Sequence, residues 1–416
     1  MSVTAPLGFR AAGVVAGLKT SGERDVAVVI NDGPSRAAAA VFTSNRVQAA
    51  PVIWSRQVTS GGRVRAVVLN SGGANACTGP AGFQDAHATA ERLAAALDDS
   101  AGEIVVCSTG LIGERLPMDR LLPAVDAAVA EADRGGGVHA ADAIRTTDTV
   151  VKIAFRRPGS ASPRGGPPQT PSGTGSASPG GRPPQTPPGR GGVYTIGGMA
   201  KGAGMLAPAL ATMLVVLTTD ADLPAAELDS ALHSATAATF DRLDSDGCMS
   251  TNDTVLLMAS GASGVRPDRK DFTRALTEVC ADLARQLQRD AEGASKFVTI
   301  EVVGAASEGD ALTVGRAVAR NSLLKCALAG ADPNWGRVLS AVGTTNAVFE
   351  PDRLNVAMNG VWVCRSGAPG DDRSKVDLKG KDVTITVDLS AGPHSAIILT
   401  TDLTEAYVHE NSAYST

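Results

Sequence analysis

The feature that most constrains the fold is a glycine-rich loop followed by an apolar stretch at residues 201–220, KGAGMLAPALATMLVVLTTD. Gly202, Gly204 and Ala207 match the G-x-G-x-x-G/A pattern of a dinucleotide-binding loop, and a candidate strand, VYTIGG, precedes them. A Rossmann unit needs a crossover connection of about a dozen or more residues after its first strand, usually a helix. Here Pro208 interrupts the short interval before the next apolar run. The spacing therefore excludes a nicotinamide-dinucleotide site.

Thr212 stands at the start of the apolar run, and the spacing allows two interpretations. A β-branched residue suits the first position of a strand over TMLVVL. Alternatively, cleavage of the Ala211–Thr212 bond would give Thr212 a free α-amine with a pKa of about 8. One residue would then supply both a nucleophile and its base.

Strand and helix patterns are mixed along the rest of the chain. Apolar β-rich runs occupy residues 24–31, 63–70, 103–108, 296–304, 355–364 and 382–390. Helical periodicity occupies residues 83–97, 118–133 and 271–290, and Pro123 interrupts the second of these. In the last strand Val383, Ile385, Val387 and Leu389 alternate with polar residues, which indicates one buried face. We predict an α/β or α+β class with substantial antiparallel sheet.

One segment departs from this pattern. SASPRGGPPQTP at Ser160 and SASPGGRPPQTP at Ser176 form a tandem duplication within a Pro/Gly/Ser-rich stretch. Such a stretch cannot bury enough apolar surface to offset the entropy of ordering. We therefore predict a disordered surface insertion over residues 157–192.

Charge and cysteine content narrow the class of partner. The formal net charge of -5 over 416 residues provides no basic stripe for nucleic acid and no polybasic membrane patch. The six cysteines are far apart and form no CxxC pair, a pattern typical of thiols in a reducing cytosol. We expect a cytoplasmic enzyme that acts on small molecules, without a bound metal and without nucleic-acid or membrane partners.

Eight blocks together resemble the ornithine acetyltransferase family, the arginine-biosynthesis bifunctional proteins, over nearly the whole chain. The blocks are KGAGMLAPALATMLVVLTTD, NSGGANACTG, STGLIGERLPMD, TTDTVVK, FDRLDSDGCMSTNDT, DAEGASK, DPNWGR and the terminal ENSAYST. The resemblance implies a layered α/β sandwich of the self-processing N-terminal-nucleophile type, with a smaller C-terminal α/β unit at about residues 300–416. It also implies an α chain of residues 1–211 and a β chain of residues 212–416, with two of each in the assembly.

The implied reaction is a ping-pong acetyl transfer from N2-acetylornithine to glutamate. Thr212 would be the nucleophile, released by self-cleavage between Ala211 and Thr212, and would carry the acetyl group as an ester. Thr109 and Gly110 match the family's oxyanion hole. The implied substrate contacts are Thr146 or, in second place, Thr147, together with Lys201, Thr212, Glu292, Asn411 and Thr416.

No cofactor is implied, and the sequence leaves open whether acetyl-CoA serves as a second acetyl donor. Two alternatives stay open at this point. One is an amidohydrolase or aminopeptidase with the same self-processed threonine and water as the acceptor. The other is a paralogue of secondary metabolism with a different acceptor.

Overall fold

A computed structural model describes residues 2–158, 192–206 and 213–413 of the chain. Its strands are β1 Phe9–Val14, β2 Val26–Asn31, β3 Ala38–Phe42, β4 Ala66–Gly73, β5 Ile104–Leu111, β6 Lys152–Arg156, β7 Ile196–Lys201, β8 Leu214–Thr219, β9 Thr254–Ala259, β10 Phe297–Ala305, β11 Asn355–Met358, β12 Val361–Arg365, β13 Ala368–Pro369, β14 Asp382–Asp388 and β15 His394–Thr401. Its helices are α1 Ala50–Thr59, α2 Gly79–Ala96, α3 Met118–Glu131, α4 Gly137–Ala143, α5 Ala225–Ala238, α6 Arg269–Arg289, α7 Glu308–Ala319, α8 Ser322–Ala329, α9 Trp335–Val342 and α10 Glu405–Ala413. Within these ranges, no helix combines the length and the apolar composition that a membrane span requires.

Two sheets pack face to face at the centre of the molecule. The first has the strand order β1-β2-β4-β5, and the second has the order β3-β9-β8-β7-β6. Alternate residues of both sheets, such as Val29 and Leu69 of the first and Val216 and Met258 of the second, share one apolar core. Because strand side chains alternate between faces, each of these nearly fully buried sheets must also be covered on its outer side.

Helices form the two outer layers. The outer face of the first sheet packs on α2 and α3 through residues such as Leu93 and Val125. The outer face of the second sheet packs on α5 and α6 through residues such as Leu232 and Leu276. The four layers run helix, sheet, sheet, helix, and the predicted layered α/β sandwich is confirmed.

The C-terminal residues build a third sheet with a core of its own. The strand order is β13-β12-β11-β14-β10-β15, and α7, α8 and α9 cover one face. In β14 and just after it, Val383, Ile385, Val387 and Leu389 are buried, as the alternation predicts. The polar residues between them face away from this core, so the sheet has one packed face.

Two local predictions were wrong. Helix α3 continues through Pro123 instead of being interrupted there. Pro123 is exposed, as is Asp119 four residues before it, so solvent can satisfy the carbonyl that loses its helical hydrogen bond. The run at residues 355–364 forms two strands, because Asn359 and Gly360 both take positive φ angles (45° and 81°) and close a hairpin between β11 and β12.

The strands on either side of the proline-rich segment pair as expected. β6 and β7 are antiparallel neighbours, with Lys152 opposite Ala200 and Arg156 opposite Ile196. Most of the predicted insertion, residues 159–191, lies outside the described residues, and so do residues 207–212. Strands β6 and β7 flank the first of these gaps, strands β7 and β8 flank the second, and all three strands belong to the same sheet.

Candidate active site

Residues predicted from separate blocks line two adjoining cavities, of about 490 Å³ and about 70 Å³. Both cavities are lined by Thr146, Thr147, Glu292 and Asn411. The smaller one is also lined by Thr109, Gly110 and Lys201. All the predicted site residues that the structure describes therefore meet at one place. Ala211, Thr212 and Thr416 lie outside the described residues.

Lys201, the last residue of β7, is buried and lines the smaller cavity. Its Nζ donates hydrogen bonds to Oγ1 of Thr146 at 2.8 Å and to Oγ1 of Thr109 at 3.2 Å. Burial lowers the pKa of Lys201, while the charge of Asp148 opposes that shift. An ammonium group can only donate, so both hydroxyls accept from it and keep their own hydrogen for another partner.

Asp148 balances the charge of Lys201. Its carboxylate lies 3.9 Å from Nζ of Lys201, 2.5 Å from Nζ of Lys152, and accepts the N–H of Gly202 at 2.7 Å. Burial by itself would raise the pKa of Asp148, but the charges of Lys201 and Lys152 outweigh it and lower the pKa to about 2. Lys152 also forms an ion pair with Asp290. The alternating charges of Asp290, Lys152 and Asp148 thus hold the ammonium group of Lys201 in position.

Glu292 forms the acidic side of the site. Its Oε1 accepts a hydrogen bond from the hydroxyl of Thr147 at 2.7 Å, and its Oε2 accepts one from Nδ2 of Asn411 at 3.0 Å. The two threonines of the TTD motif therefore differ in their contacts, since Thr146 binds to Lys201 and Thr147 binds to Glu292. Both threonines line both cavities.

The C-terminal helix α10 carries Asn411 to this position. The hydroxyl of Thr404, just before α10, donates to the carbonyl of Gly293 at 2.6 Å. Gly293 has a φ of 59°, and a Cβ there would lie 2.2 Å from the nitrogen of Tyr407. Only glycine permits this close approach of α10 to the loop that bears Glu292.

Thr109 and Gly110 lie near the end of β5, next to the end of β4. Thr109 is buried, and Gly110 has a φ of 132°. A Cβ on Gly110 would lie 2.5 Å from both the carbonyl carbon of Gly72 and the nitrogen of Gly73. The backbone at this edge of the small cavity therefore requires glycine, which leaves the backbone accessible where a side chain would otherwise stand.

The residues just before β9 connect the two central sheets at the cavity. Nδ2 of Asn252 donates to the carbonyls of Ala74 at 2.6 Å and Ser108 at 2.8 Å. Asp253 is buried, and its Oδ1 accepts the N–H of Met213 at 2.8 Å. The segment Ser250–Asn252 lines the smaller cavity together with Thr109.

Sequence reasoning did not single out five of the residues that organise the site. They are Asp148, Lys152, Asn252, Asp253 and Asp290. Each of them stands inside one of the blocks TTDTVVK, FDRLDSDGCMSTNDT and DAEGASK, and the first and third of these blocks also contain selected residues. Their charged or amide side chains within blocks that resemble one family were the available signal, but only the fold shows which of them pair.

Comparison with known proteins identifies close relatives. The sequence profile of the ArgJ family matches residues 10–162 and 186–416. The arginine biosynthesis bifunctional protein ArgJ of Thermobifida fusca is 69% identical over 416 residues, covering 100% of both chains. The protein of the same name from Streptomyces coelicolor is 60% identical over 415 residues, again covering 100% of both chains.

Solved structures of two similar proteins also match. The ornithine acetyltransferase of Mycobacterium tuberculosis, in complex with ornithine, is 51% identical, with a TM-score of 0.40 over 50% of this chain and 94% of that chain. The arginine biosynthesis bifunctional protein of Bacillus halodurans is 34% identical, with a TM-score of 0.46 over 48% of this chain and 98% of that chain.

Proposed function

The chain belongs to the ArgJ family, and we propose that it moves the acetyl group of N2-acetylornithine to glutamate, which yields ornithine and N-acetylglutamate. It is an acyltransferase of arginine biosynthesis. The observation that carries the specific reaction is the convergence of Lys201, Thr109, Thr146 and Glu292 at one cavity. This cavity offers a cation, a carboxylate and two hydroxyls that each have a hydrogen to donate. Such a set of groups suits an amino-acid substrate that undergoes acyl transfer.

The nucleophile in this proposal is Thr212, freed by self-cleavage of the Ala211–Thr212 bond. Its hydroxyl oxygen bonds to the acetyl carbonyl carbon while its α-amine takes the hydroxyl proton. The bond from that carbon to the ornithine nitrogen then breaks, and the nitrogen leaves with a proton returned by the α-amine. Attack by the amine of glutamate on the acetyl-threonine ester reverses these steps and restores the hydroxyl.

Each tetrahedral intermediate in these steps carries a negative oxygen that needs hydrogen-bond donors. Thr109 accepts from Lys201 and so retains its own O–H for this purpose. The nearby ammonium of Lys201 also favours negative charge at the cavity. These contacts support the assignment of Thr109 and Gly110 to the oxyanion hole.

The two ends of the site suit the two ends of ornithine. Lys201 and the hydroxyl of Thr146 match an α-carboxylate, which both N-acetylornithine and glutamate possess. Glu292 matches the side-chain ammonium of ornithine, a group that glutamate lacks. Glu292 therefore recognises the donor specifically, whereas Lys201 serves both substrates. Because one side-chain oxygen carries the acetyl group between them, the transfer requires no bound cofactor.

The cleaved chains should stay together. Strands β7 and β8 stand on opposite sides of residues 207–212 and pair along six residues in the same sheet. Strands β3 and β6 before the cut also share this sheet with β9 after it. The expected assembly of two α and two β chains is testable by comparing the mass of the native protein with twice the combined mass of one α and one β chain.

The cytoplasm is the expected location of the enzyme. All six cysteines, each within the described residues, are free thiols, and three of them are buried. Free thiols persist in a reducing compartment, which supports this location.

The reaction is tested with N2-acetylornithine that carries a radiolabelled acetyl group. Incubation with glutamate should move the label into N-acetylglutamate, with one ornithine released for each acetyl transferred. Without glutamate, labelled ornithine should exchange into N2-acetylornithine, because the acetyl-threonine form reacts with either amine. Label that appears as free acetate would instead indicate a hydrolase, and label in another amino acid would indicate a different acceptor. The same assay with acetyl-CoA in place of acetylornithine tests whether acetyl-CoA serves as a second acetyl donor.

Self-cleavage is tested on a denaturing gel. Purified wild-type protein should give two chains, and a Thr212→Ala variant should give one chain of 42.1 kDa. Thr212→Ser keeps the hydroxyl and should be cut. A wild-type chain that remains whole would contradict the self-processing mechanism.

A further inference from the structure

The outer edge of β5 takes hydrogen-bond partners from side chains. β5 is the last strand of the first sheet, so every second residue turns its backbone N–H and C=O groups away from β4. Helix α1 supplies the first partners. Nε1 of Trp54 donates to the carbonyl of Ile104 at 3.0 Å. The hydroxyl of Ser55 donates to the carbonyl of Val106 at 2.7 Å and accepts its N–H at 3.0 Å. Ile104 and Val106 therefore belong to the series of residues that faces outwards.

Ser108 is the next residue of this series, and its carbonyl is bound by an asparagine of the second sheet. Nδ2 of Asn252, just before β9, donates to the carbonyl of Ser108 at 2.8 Å and to that of Ala74 at 2.6 Å. Asn252 is buried, and its Oδ1 accepts the hydroxyl of Thr251 at 2.6 Å. The opposite orientation of the amide would place its oxygen against two carbonyl oxygens, so these contacts define which atom is the nitrogen.

Gly110 continues the same series. The N–H of Ala74 donates to the carbonyl of Leu111 at 2.9 Å, so Leu111 faces the β4 side of the strand and its neighbour Gly110 faces the outer edge. The carbonyl of Ser108 and the N–H of Gly110 therefore lie on the same edge, on either side of Thr109. The two donors assigned to the oxyanion hole, the Thr109 hydroxyl and the Gly110 N–H, thus directly follow the peptide unit that the amide holds.

The amide of Asn252 links the two central sheets at the cavity. Thr109 and Gly110 belong to the first sheet, whereas Lys201, whose Nζ lies 3.2 Å from Oγ1 of Thr109, belongs to the second. The core between the sheets is apolar, and apolar contacts have no preferred direction. Hydrogen bonds are directional and restrict both distance and angle. The two bonds from Asn252 therefore fix the end of β5 relative to the sheet that carries Lys201.

We propose that Asn252 is a positioning residue for acetyl transfer. It holds the backbone that leads into Thr109 and Gly110, and so keeps their two donors aligned with the negative oxygen of each tetrahedral intermediate. The inference rests on the proposed function, because that function assigns these donors to the oxyanion hole. The negative oxygen forms only during the reaction, so poor alignment of the donors lowers kcat and leaves the binding of substrates unchanged.

Direct contact with a substrate is the alternative role, because Asn252 also lines the smaller cavity. A side-chain amide has two hydrogens, and here both are donated to backbone carbonyls. Its oxygen already accepts from Thr251. The geometry therefore favours an action through the backbone of β5 over a hydrogen bond to the reacting group.

The experiment measures kcat and KM of processed Asn252→Ala for transfer of a radiolabelled acetyl group from N2-acetylornithine to glutamate. We expect kcat to fall about 10- to 100-fold, the scale for a small misplacement of catalytic groups, with KM for both substrates unchanged. Ser55→Ala is the matched control, because it removes a buried partner of the same edge of β5 at Val106. Both variants should be less stable than the wild type in urea, and Ser55→Ala should keep the wild-type kcat.

Thr251→Val is a milder second variant, which decides the question if Asn252→Ala folds or is processed poorly. It removes the hydroxyl that binds the amide oxygen, keeps the branched shape and leaves Asn252 in place. We expect a smaller loss of kcat, again with KM unchanged. The double variant Thr109→Val/Asn252→Ala gives an independent measurement. Because both changes affect one oxyanion hole, its loss of kcat should be smaller than the product of the two single losses.

Several outcomes would overturn the inference while leaving acetyl transfer intact. They are a wild-type kcat in both Asn252→Ala and Thr251→Val, a rise in KM without a loss of kcat, and a double variant whose loss equals the product. An equal loss of kcat in Ser55→Ala, or failure of both site variants to fold and be processed, would show a general structural role and also overturn it. A wild-type enzyme that transfers no acetyl group to glutamate would overturn the proposed function and this inference together.

Discussion

Nζ of Lys201 lies 3.9 Å from Oδ2 of Asp148, and both side chains are almost completely shielded from solvent. The cation that reaches Thr109 and Thr146 is thus paired with a carboxylate that is itself bound to Lys152 and to the N–H of Gly202. Removal of one partner from such a buried pair leaves an uncompensated charge, which is more costly than loss of the attraction alone.

Asp148→Asn should therefore destabilise the protein by about 3–5 kcal/mol, the range for breaking a buried ion pair. It should also reduce acetyl transfer, since Lys201 loses the charge that keeps it protonated. Urea unfolding and the transfer assay measure the two effects. Asp126→Asn is the control, because Asp126 pairs with Arg92 on the surface, where solvent screens the attraction and the pair contributes little to stability. Equal losses in both variants would contradict the role given to Asp148.

The pKa of about 2 at Asp148 predicts a specific acid dependence of stability. The folded-state pKa is lower than the unfolded value of about 4, so this group stabilises the fold above about pH 4. The contribution is lost as the pH falls towards 2. The free energy of unfolding, measured by urea titration between about pH 6 and pH 2, should fall less steeply in Asp148→Asn than in the wild type. Parallel curves would contradict the prediction.

The carboxyl of Asp253 should change the stability of the fold with pH in the opposite direction. Its folded-state pKa is raised by burial, so the unfolded chain loses the proton first and the wild type loses stability as the pH rises above about 4. Asn does not titrate, and the Met213 hydrogen bond retains an acceptor. Relative to the wild type, Asp253→Asn should become more stable as the pH rises, as measured by thermal unfolding. A variant that loses stability with rising pH would show that Asp253 is needed in its ionised form for folding.

Thr109→Val tests the oxyanion hole. The change removes a hydroxyl and keeps the branched shape, and loss of one oxyanion donor typically lowers kcat about 100- to 1,000-fold. Thr109→Ser retains the hydroxyl and should keep most of the activity. Steady-state kinetics on fully processed protein give kcat and KM separately. If Thr109→Val raises KM and leaves kcat unchanged, Thr109 binds substrate instead of stabilising the intermediate.

Glu292→Gln tests recognition of the donor. The amide can still accept from Thr147, but it cannot neutralise the side-chain ammonium of N2-acetylornithine. KM for N2-acetylornithine should rise about tenfold or more, as expected for loss of a charged hydrogen bond, while KM for glutamate changes little. Glu278→Gln, a change at an exposed pair with Arg156, is the control and should alter neither value. An equal rise for both substrates would indicate that Glu292 binds a group they share.

Several features of the fold and of the candidate site can be predicted from the sequence alone. The alternation at residues 383–389 predicts one buried face of a strand, because side chains of a strand alternate between the two faces. The interval between Gly204 and the next apolar run is too short for a Rossmann crossover, and Pro208 interrupts it. The residues Thr109, Gly110, Thr146, Thr147, Lys201, Glu292 and Asn411 were selected from blocks that resemble one family, and the fold brings them to one cavity.

The pairings inside that site were decided only by the tertiary structure. Asp148 and Lys201 are 53 positions apart, and Asp290 is 138 positions from Lys152, so no local pattern links them. Asp253 reaches Met213 because β8 and β9 are parallel and begin at the same edge, a consequence of sheet order. Sequence patterns record which face of an element is apolar. They do not record which elements become neighbours, and the burial and charge pairing that set these pKa values depend on those neighbours.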